Sequence, residues 1–300
     1  MNNLTQMLAR VIDKSNFVNL EGYLNFCRDY LEYVAIHLQA VIVSQNENHY
    51  RFFQYDETGY FQITRPINSR LMLNVNLIEQ AIQEFKILLL NARDLKDANE
   101  QQRIILLNTV YTVQQSIGAT LDGLSIGLSN TARKLNGDLF ERFIRLIIQE
   151  IGMDCQAGVI QLPVWINGEK AFSMSYQHDL IIKREGELKV LGSVKTSSKD
   201  RLDKIFVDKF LYNRLTETTT PHIAIFLNDV QRKNARRENE YSINSTFLPG
   251  HFKGYTVKLN PLDGVYYCDI RPSMITQDIL KDHIKTFDKL IFEDIWRFIQ

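Results

Sequence analysis

The sequence predicts a protein of the α/β (α+β) class, with a mostly helical N-terminal region followed by a sheet-containing core. Three observations carry this. Apolar residues recur at helical spacing through much of the first 135 positions. From Gly137 onward the pattern reads helix, three strands, helix and strand in order. The chain has 300 residues, 45% of them apolar and 23% charged, enough for a sizeable core without disulfide or metal staples.

The elements follow from local pattern. Leu24, Cys27, Leu31, Val34, Ala35 and Leu38 predict a helix over 20–43. Tyr50 to Tyr55 and Tyr60 to Thr64 flank Asp56-Glu57-Thr58-Gly59 and read as a hairpin. Two more helices are expected at 76–93 and 98–116, the second capped by Asp97 or Asn99. Gly118, Gly123 and Gly127, with Gly137 at the edge, mark 118–136 as a connector. That divides the chain into a helical region, 1–135, and a core, 136–300.

In the core, Leu139, Phe140, Phe143, Ile144, Ile147, Ile148 and Ile151 form an amphipathic helix ending at Gly152. Val159 to Val164, Ser173 to Lys183 and Glu187 to Val194 have strand character. A helix over 200–216 uses Leu202, Ile205, Phe206, Phe210 and Leu215, with Pro221 beyond it. His222 to Leu227 is a short apolar strand, and 277–300 reads as a terminal helix.

Composition excludes several classes. Thirty-five Lys and Arg balance thirty-five Asp and Glu, so there is no globally basic coat for nucleic acid. Three scattered cysteines, Cys27, Cys155 and Cys268, give neither a disulfide framework nor zinc spacing, and predict a reduced, cytoplasmic protein. No signal-peptide layout and no apolar run of 18 residues is seen, so no membrane association is expected. P-loop, HExxH, GxSxG and GxGxxG motifs are absent.

Acid and base chemistry concentrates on consecutive strands. Asp179 precedes the apolar run Leu180-Ile181-Ile182, and Lys195 ends the strand Leu188 to Val194. A hairpin turning near Lys183 to Gly186 would bring both to one edge, where a carboxylate beside a lysine can hold a divalent metal and activate water. Such a pair can equally be a solvated strand-end ion pair. Lys199, Asp200 and Arg201 follow at a helix start. Lys and Arg can donate to guanine O6 and N7, and Asp can accept from cytosine N4. A helix start with Ser198 or Asp200 as cap and exposed basic neighbours is the plainer alternative. Between Lys195 and Arg237 ten basic residues face five acidic ones, a local excess suited to phosphate contacts.

Ser193-Val194-Lys195 followed by Thr196-Ser197-Ser198-Lys199-Asp200-Arg201, with an acid upstream, resembles type II restriction endonucleases of the PD-(D/E)XK superfamily. More narrowly, it resembles the subgroup that cuts at CCGG, CCNGG or CCWGG cores. The resemblance covers about 137–230 and implies a restriction-endonuclease-like central mixed sheet flanked by helices. It implies that Ser193 stands where the family's usual acid is replaced. That acid's role then moves thirteen positions past the lysine, to Asp208, shorter than the family's glutamate. It makes Lys199, Asp200 and Arg201 the base-reading triplet, and Glu141 the first-helix acid, with Glu150 as the weaker choice. His178 stands where the family has proline.

The resemblance therefore implies a Mg²⁺-dependent enzyme cutting double-stranded DNA, with Asp179, Asp208 and Glu141 as metal ligands and Lys195 activating water. A palindromic site implies a homodimer, with 1–135 supplying dimer contacts or DNA-gripping arms. A cognate DNA methyltransferase is the implied genetic partner. Some members flip central bases into pockets, for which Phe52, Phe53 and Tyr55 are the aromatic candidates; Trp165 and Trp296 read as core or interface residues. The rival readings are a DNA-binding protein without cleavage, a non-restriction nuclease of the same superfamily, and an interaction scaffold.

Overall fold

A computed structural model describes residues 3–56, 63–199, 201–233 and 240–300. The N-terminal region holds helices α1 (Leu4–Ile12) and α2 (Leu20–His37), strands β1 (Leu38–Val43), β2 (Tyr50–Tyr55) and β3 (Ile67–Asn68), and helices α3 (Ile78–Leu90) and α4 (Glu100–Leu121). Helix α5 (Ser129–Glu150) leads into strands β4 (Asp154–Ile166), β5 (Glu169–Arg184) and β6 (Glu187–Ser197), then α6 (Leu202–Thr216) and β7 (His222–Asn228). Strands β8 (Val230–Arg232) and β9 (Ile243–Ser245), helix α7 (Pro249–Lys258), and strands β10 (Gly264–Tyr267) and β11 (Ile284–Thr286) complete the elements that position the site.

The expected mixed sheet is present, with order β11-β10-β7-β6-β5-β4. Strands β4, β5 and β6 pair antiparallel in turn, and β6, β7, β10 and β11 run parallel. The helix α5 expected from its apolar stripe lays Leu139, Phe143, Ile144 and Ile147 on one sheet face, against Leu180, Ile182, Val190, Val194 and Ile225. The other face carries α6 and α7, where Leu202, Phe206 and Phe252 pack on Ala224, Phe226 and Val265. Helices thus cover both faces of the parallel half, as such strands require.

Three local expectations are corrected. The helix expected over 20–43 stops at His37. The following Leu38–Val43 is β1, because its β-branched Val41-Ile42-Val43 run pairs antiparallel with β2. The expected hairpin pairs where it is described: Ile63 bridges Gln54 antiparallel and the Thr64 backbone N–H donates to the Phe53 carbonyl at 3.0 Å, while 57–62 lie outside the described residues. The connector expected over 118–136 is mostly helix: α4 runs to Leu121 and α5 starts at Ser129, so position 135 falls inside α5.

The reason is physical. Asn99 caps α4 through a reciprocal capping box with Gln102, and α4 is buried on all sides from Thr109 to Leu121, which erases its periodicity. Gly118 is a close-approach site, where an added Cβ would lie 2.4 Å from an Arg65 guanidinium nitrogen. The third correction is the terminal helix. Residues 284–286 leave it to pair in parallel with β10, and helical structure resumes at Phe287.

One apolar cluster spans both regions, from Leu4 through Val110 and Phe143 to Ile299. Buried Asp269, just after β10, accepts hydrogen bonds from Tyr50 (2.9 Å) and Asn68 (2.8 Å), tying the small N-terminal sheet to the large one. Among the described residues no helix is long and apolar enough to cross a membrane. The three cysteines are buried and unpaired with one another.

Candidate active site

Lys195 sits near the carboxyl end of β6, opposite Phe226 of β7. Its neighbour β5 carries Asp179 at an irregularity: His178 to Ile181 on β5 spans only Gly158 to Gln156 on β4. This extra residue re-aims the strand. Asp179 Oδ2 accepts from the Val194 backbone N–H (2.8 Å) and from Lys195 Nζ (2.6 Å). From α5, Glu141 Oε1 accepts from the same ammonium at 2.7 Å. Three elements therefore aim two carboxylates at one cation, as the strand-end reading of Asp179 and Lys195 expects.

The electrostatics follow from burial and proximity. Burial, then the Asp179 carboxylate, raises the Glu141 pKa, and Lys195 offsets part of this. For Lys195 burial works to lower the pKa, but the Asp179 and Glu141 charges outweigh it and the net shift is upward. The ammonium stays charged. Glu150 ends α5 nine residues beyond Glu141 and is exposed. At 1.5 Å rise per residue that places it about 13 Å further along the helix.

Asp208 is on α6, half-buried, and its partner is Lys204, one turn earlier. Its charge acts on His178, whose pKa burial lowers and whose ring Asp208 and Asp179 partly hold back. Asp208 thus stands near enough to His178 to act on it, and it pairs with Lys204 rather than with Lys195. Among the described residues no group of three or more His, Cys, Asp or Glu side chains is arranged to hold a metal ion. Ser193 is half-buried on β6, opposite Ala224.

Lys199 and Arg201 are exposed at the entry to α6, and Asp200 lies outside the described residues. Arg201 is the N-cap residue and makes no side-chain cap, so Ser198 is not at the cap position. Arg236 and Arg237 of the local basic run also lie outside the described residues. Phe52 and Tyr55 are fully buried packing residues and Phe53 packs on the main core, which argues against an open base pocket built from them. Trp296 is buried, whereas Trp165 is 61% exposed near the tip of the β4–β5 ribbon.

A cavity of about 960 Å³ lies at the other end of β5, lined by Arg93, Lys96, Asp154, Lys183 and Trp296. Lys183 is four residues from Asp179, about 13 Å along an extended strand. The carboxylate–lysine cluster is therefore not in it. Sequence reading missed the polar layer behind the Lys199 segment, Asp229, Ser245 and Thr246. These residues converge from distant positions, and no spacing rule links them.

The sheet and its flanking helices have the restriction-endonuclease fold. The crystal structure of the type IIP restriction endonuclease Kpn2I superposes with a TM-score of 0.72 at 16% identity, covering 98% of this chain and 97% of that one. The complex of restriction endonuclease PspGI with substrate DNA matches more weakly, with a TM-score of 0.43 at 14% identity over 75% of this chain and 92% of that one. No protein-family model matches the sequence, and no curated protein matches it.

Proposed function

We propose that the chain is a type II restriction endonuclease making Mg²⁺-dependent double-strand cuts at a short G·C-rich palindrome with a CCGG- or CCNGG-like core. The observation that carries the reading is the convergence of Asp179 and Glu141 on Lys195 at the carboxyl end of β6. The shared fold with Kpn2I, a type IIP restriction endonuclease by description, supports it.

The donor set fits the metal. Mg²⁺ takes hard oxygen ligands, often one or two carboxylates with water and substrate phosphate completing the shell. Asp179 and Glu141 offer such oxygens around a site where a cation already sits. Asp208 is the third carboxylate we assign, which requires it to leave Lys204. When bound, the ion supplies Lewis-acid charge that polarises the phosphate and acidifies water.

The chain's own groups do the rest. Lys195, held protonated, orients the attacking water and offsets negative charge growing on the phosphate. Asp179 fixes the ammonium and is itself fixed by the Val194 N–H. Ser193 supports the strand end. Lys199, Asp200 and Arg201 read the G·C edges in the major groove. A palindrome cut on both strands takes two such sites, hence a homodimer. An unopposed nuclease would cut its own host, so the reading also includes a cognate methyltransferase and residence in the cytoplasm with the DNA.

Digesting a plasmid of known sequence with Mg²⁺, and mapping the ends, tests this. Discrete fragments at one repeated G·C-rich site, lost with EDTA, are expected. Binding without fragments favours a DNA-binding protein, and ends without a repeated sequence favour a non-restriction nuclease.

A further inference from the structure

The Lys199 segment hangs on a buried polar contact that the chemistry above does not use. Ser198 and Thr246 are both buried, and their hydroxyl oxygens are 3.1 Å apart. Thr246 comes just after β9, and its hydroxyl donates to the Asp229 backbone carbonyl at 2.8 Å. The Thr246 backbone N–H donates to the same carbonyl. With its single proton committed, Thr246 Oγ1 is left as the acceptor, so Ser198 is the donor. Asp229 is 1% exposed, and its carboxylate accepts from Ser245 at 2.6 Å. One residue before Ser198, the Ser197 hydroxyl accepts from the Lys199 backbone N–H at 3.1 Å.

We infer that Thr246 is a positioning residue for sequence reading: clamped on Asp229 at the end of β7, it holds Ser198 and so fixes where Lys199 and Arg201 point. The inference rests on the nuclease reading. Bidentate base contacts discriminate only when the backbone carrying them is fixed, since small misplacements lose the pairing. The Thr246 hydroxyl bonds to Ser198, to the Asp229 carbonyl and, more distantly at 3.5 Å, to Ser197, not to Lys195 or its carboxylates, so selectivity should separate from chemistry.

The experiment is digestion of a mapped plasmid by the full chain with Mg²⁺, comparing rates at the cognate site and at sites differing by one base pair. Thr246→Val is expected to lower that ratio about 10-fold or more, as expected for a weakened base contact. With enzyme saturating, its single-turnover rate at the cognate site should stay within about threefold of wild type, because the weakened contact shows in binding, read by the ratio at limiting enzyme, and not in the chemical step. Thr246→Ser, which keeps the hydroxyl, should restore the ratio. Ser198→Ala, which removes the donor from the other side, should lower it too, and decides the matter if Thr246→Val does not fold. An unchanged ratio in Ser198→Ala or in folded Thr246→Val overturns this inference alone. A wild-type chain that cuts no DNA overturns the nuclease reading and this inference with it.

Discussion

Replacing Asp179 with Asn isolates the charge at the centre of the site. The substitution keeps the shape, so the amide oxygen can still accept the Val194 N–H now bonded at 2.8 Å. The same oxygen also accepts from Lys195 at 2.6 Å, so what is lost is the carboxylate charge opposite the ammonium. Lys195 keeps Glu141 as its remaining carboxylate partner, at 2.7 Å. Hydrogen bonds to charged groups contribute about 1.5–3 kcal/mol. The Lys195 side chain is 28% exposed, so water replaces part of that, and a stability loss of about 1–2 kcal/mol is expected. The Asp179 charge also raises the Glu141 pKa, so Asp179→Asn should bring Glu141 back toward its ordinary value. Cutting should fall far more than stability, by about 10²–10³ or beyond, as when one electrostatic group is removed from a preorganised site. Urea unfolding and single-turnover plasmid cleavage, run side by side, separate the two effects. Cleavage within a few-fold of wild type by a folded Asp179→Asn protein would refute the role given to this carboxylate.

Other outcomes follow from particular contacts. Gly118→Ala drives a Cβ to within 2.4 Å of the part-exposed Arg65 guanidinium, which bonds Asp122 at 2.7 and 2.8 Å; the arm can shift only by weakening that pair, and a loss of about 1–2 kcal/mol is expected by denaturant titration. Burial lowers the His222 pKa from 6.5 to about 4. Between those values the unfolded chain binds more protons, so this group's contribution is intact at pH 7 and is lost as pH falls from about 6.5 to 4, by about 3 kcal/mol in all. Asp269, pushed by burial from 3.8 to about 7, acts in the opposite sense, destabilising as pH rises across that range. The difference between wild type and His222→Phe in unfolding free energy at pH 7 and pH 5 therefore reads the histidine, and wild type against Asp269→Asn reads the acid with the reverse slope. Lys204→Ala releases Asp208 from its ion pair. If Asp208 serves the metal, half-saturation of cleavage should come at lower Mg²⁺; an unchanged or higher Mg²⁺ requirement counts against Asp208.

Elements that present one face to a sheet were legible in the sequence. The apolar stripe of α5 shows its period because one partner surface dictates it, while β7 was legible as a short continuous apolar run, as burial on both faces of the sheet requires. The second half of α4 was not legible, since burial on every side removes any period, and Gly118 there serves the Arg65 approach rather than a turn. Strand β1 continues from α2 without a break signal, and β11 is only three residues long, held by its parallel neighbour β10. Both are tertiary decisions that local propensity does not carry. Within the site, the proximity of Asp179 and Lys195 followed from strand spacing alone. Glu141 came from the family resemblance, because nothing local distinguishes it from Glu150. The partner of Asp208, one helical turn away at Lys204, was readable as an i,i+4 pair but competes with the role the resemblance implies. Thr246 had no signal, since it meets Ser198 across 48 residues.

The most direct measurement compares wild type with Lys195→Ala in two assays, Mg²⁺-dependent plasmid cleavage and metal-free gel-shift binding to a duplex carrying the mapped site. If Lys195 orients the attacking water, the variant folds, binds the duplex as wild type does, and cuts at least about 10²-fold more slowly. Cleavage by Lys195→Ala at the wild-type rate would contradict it.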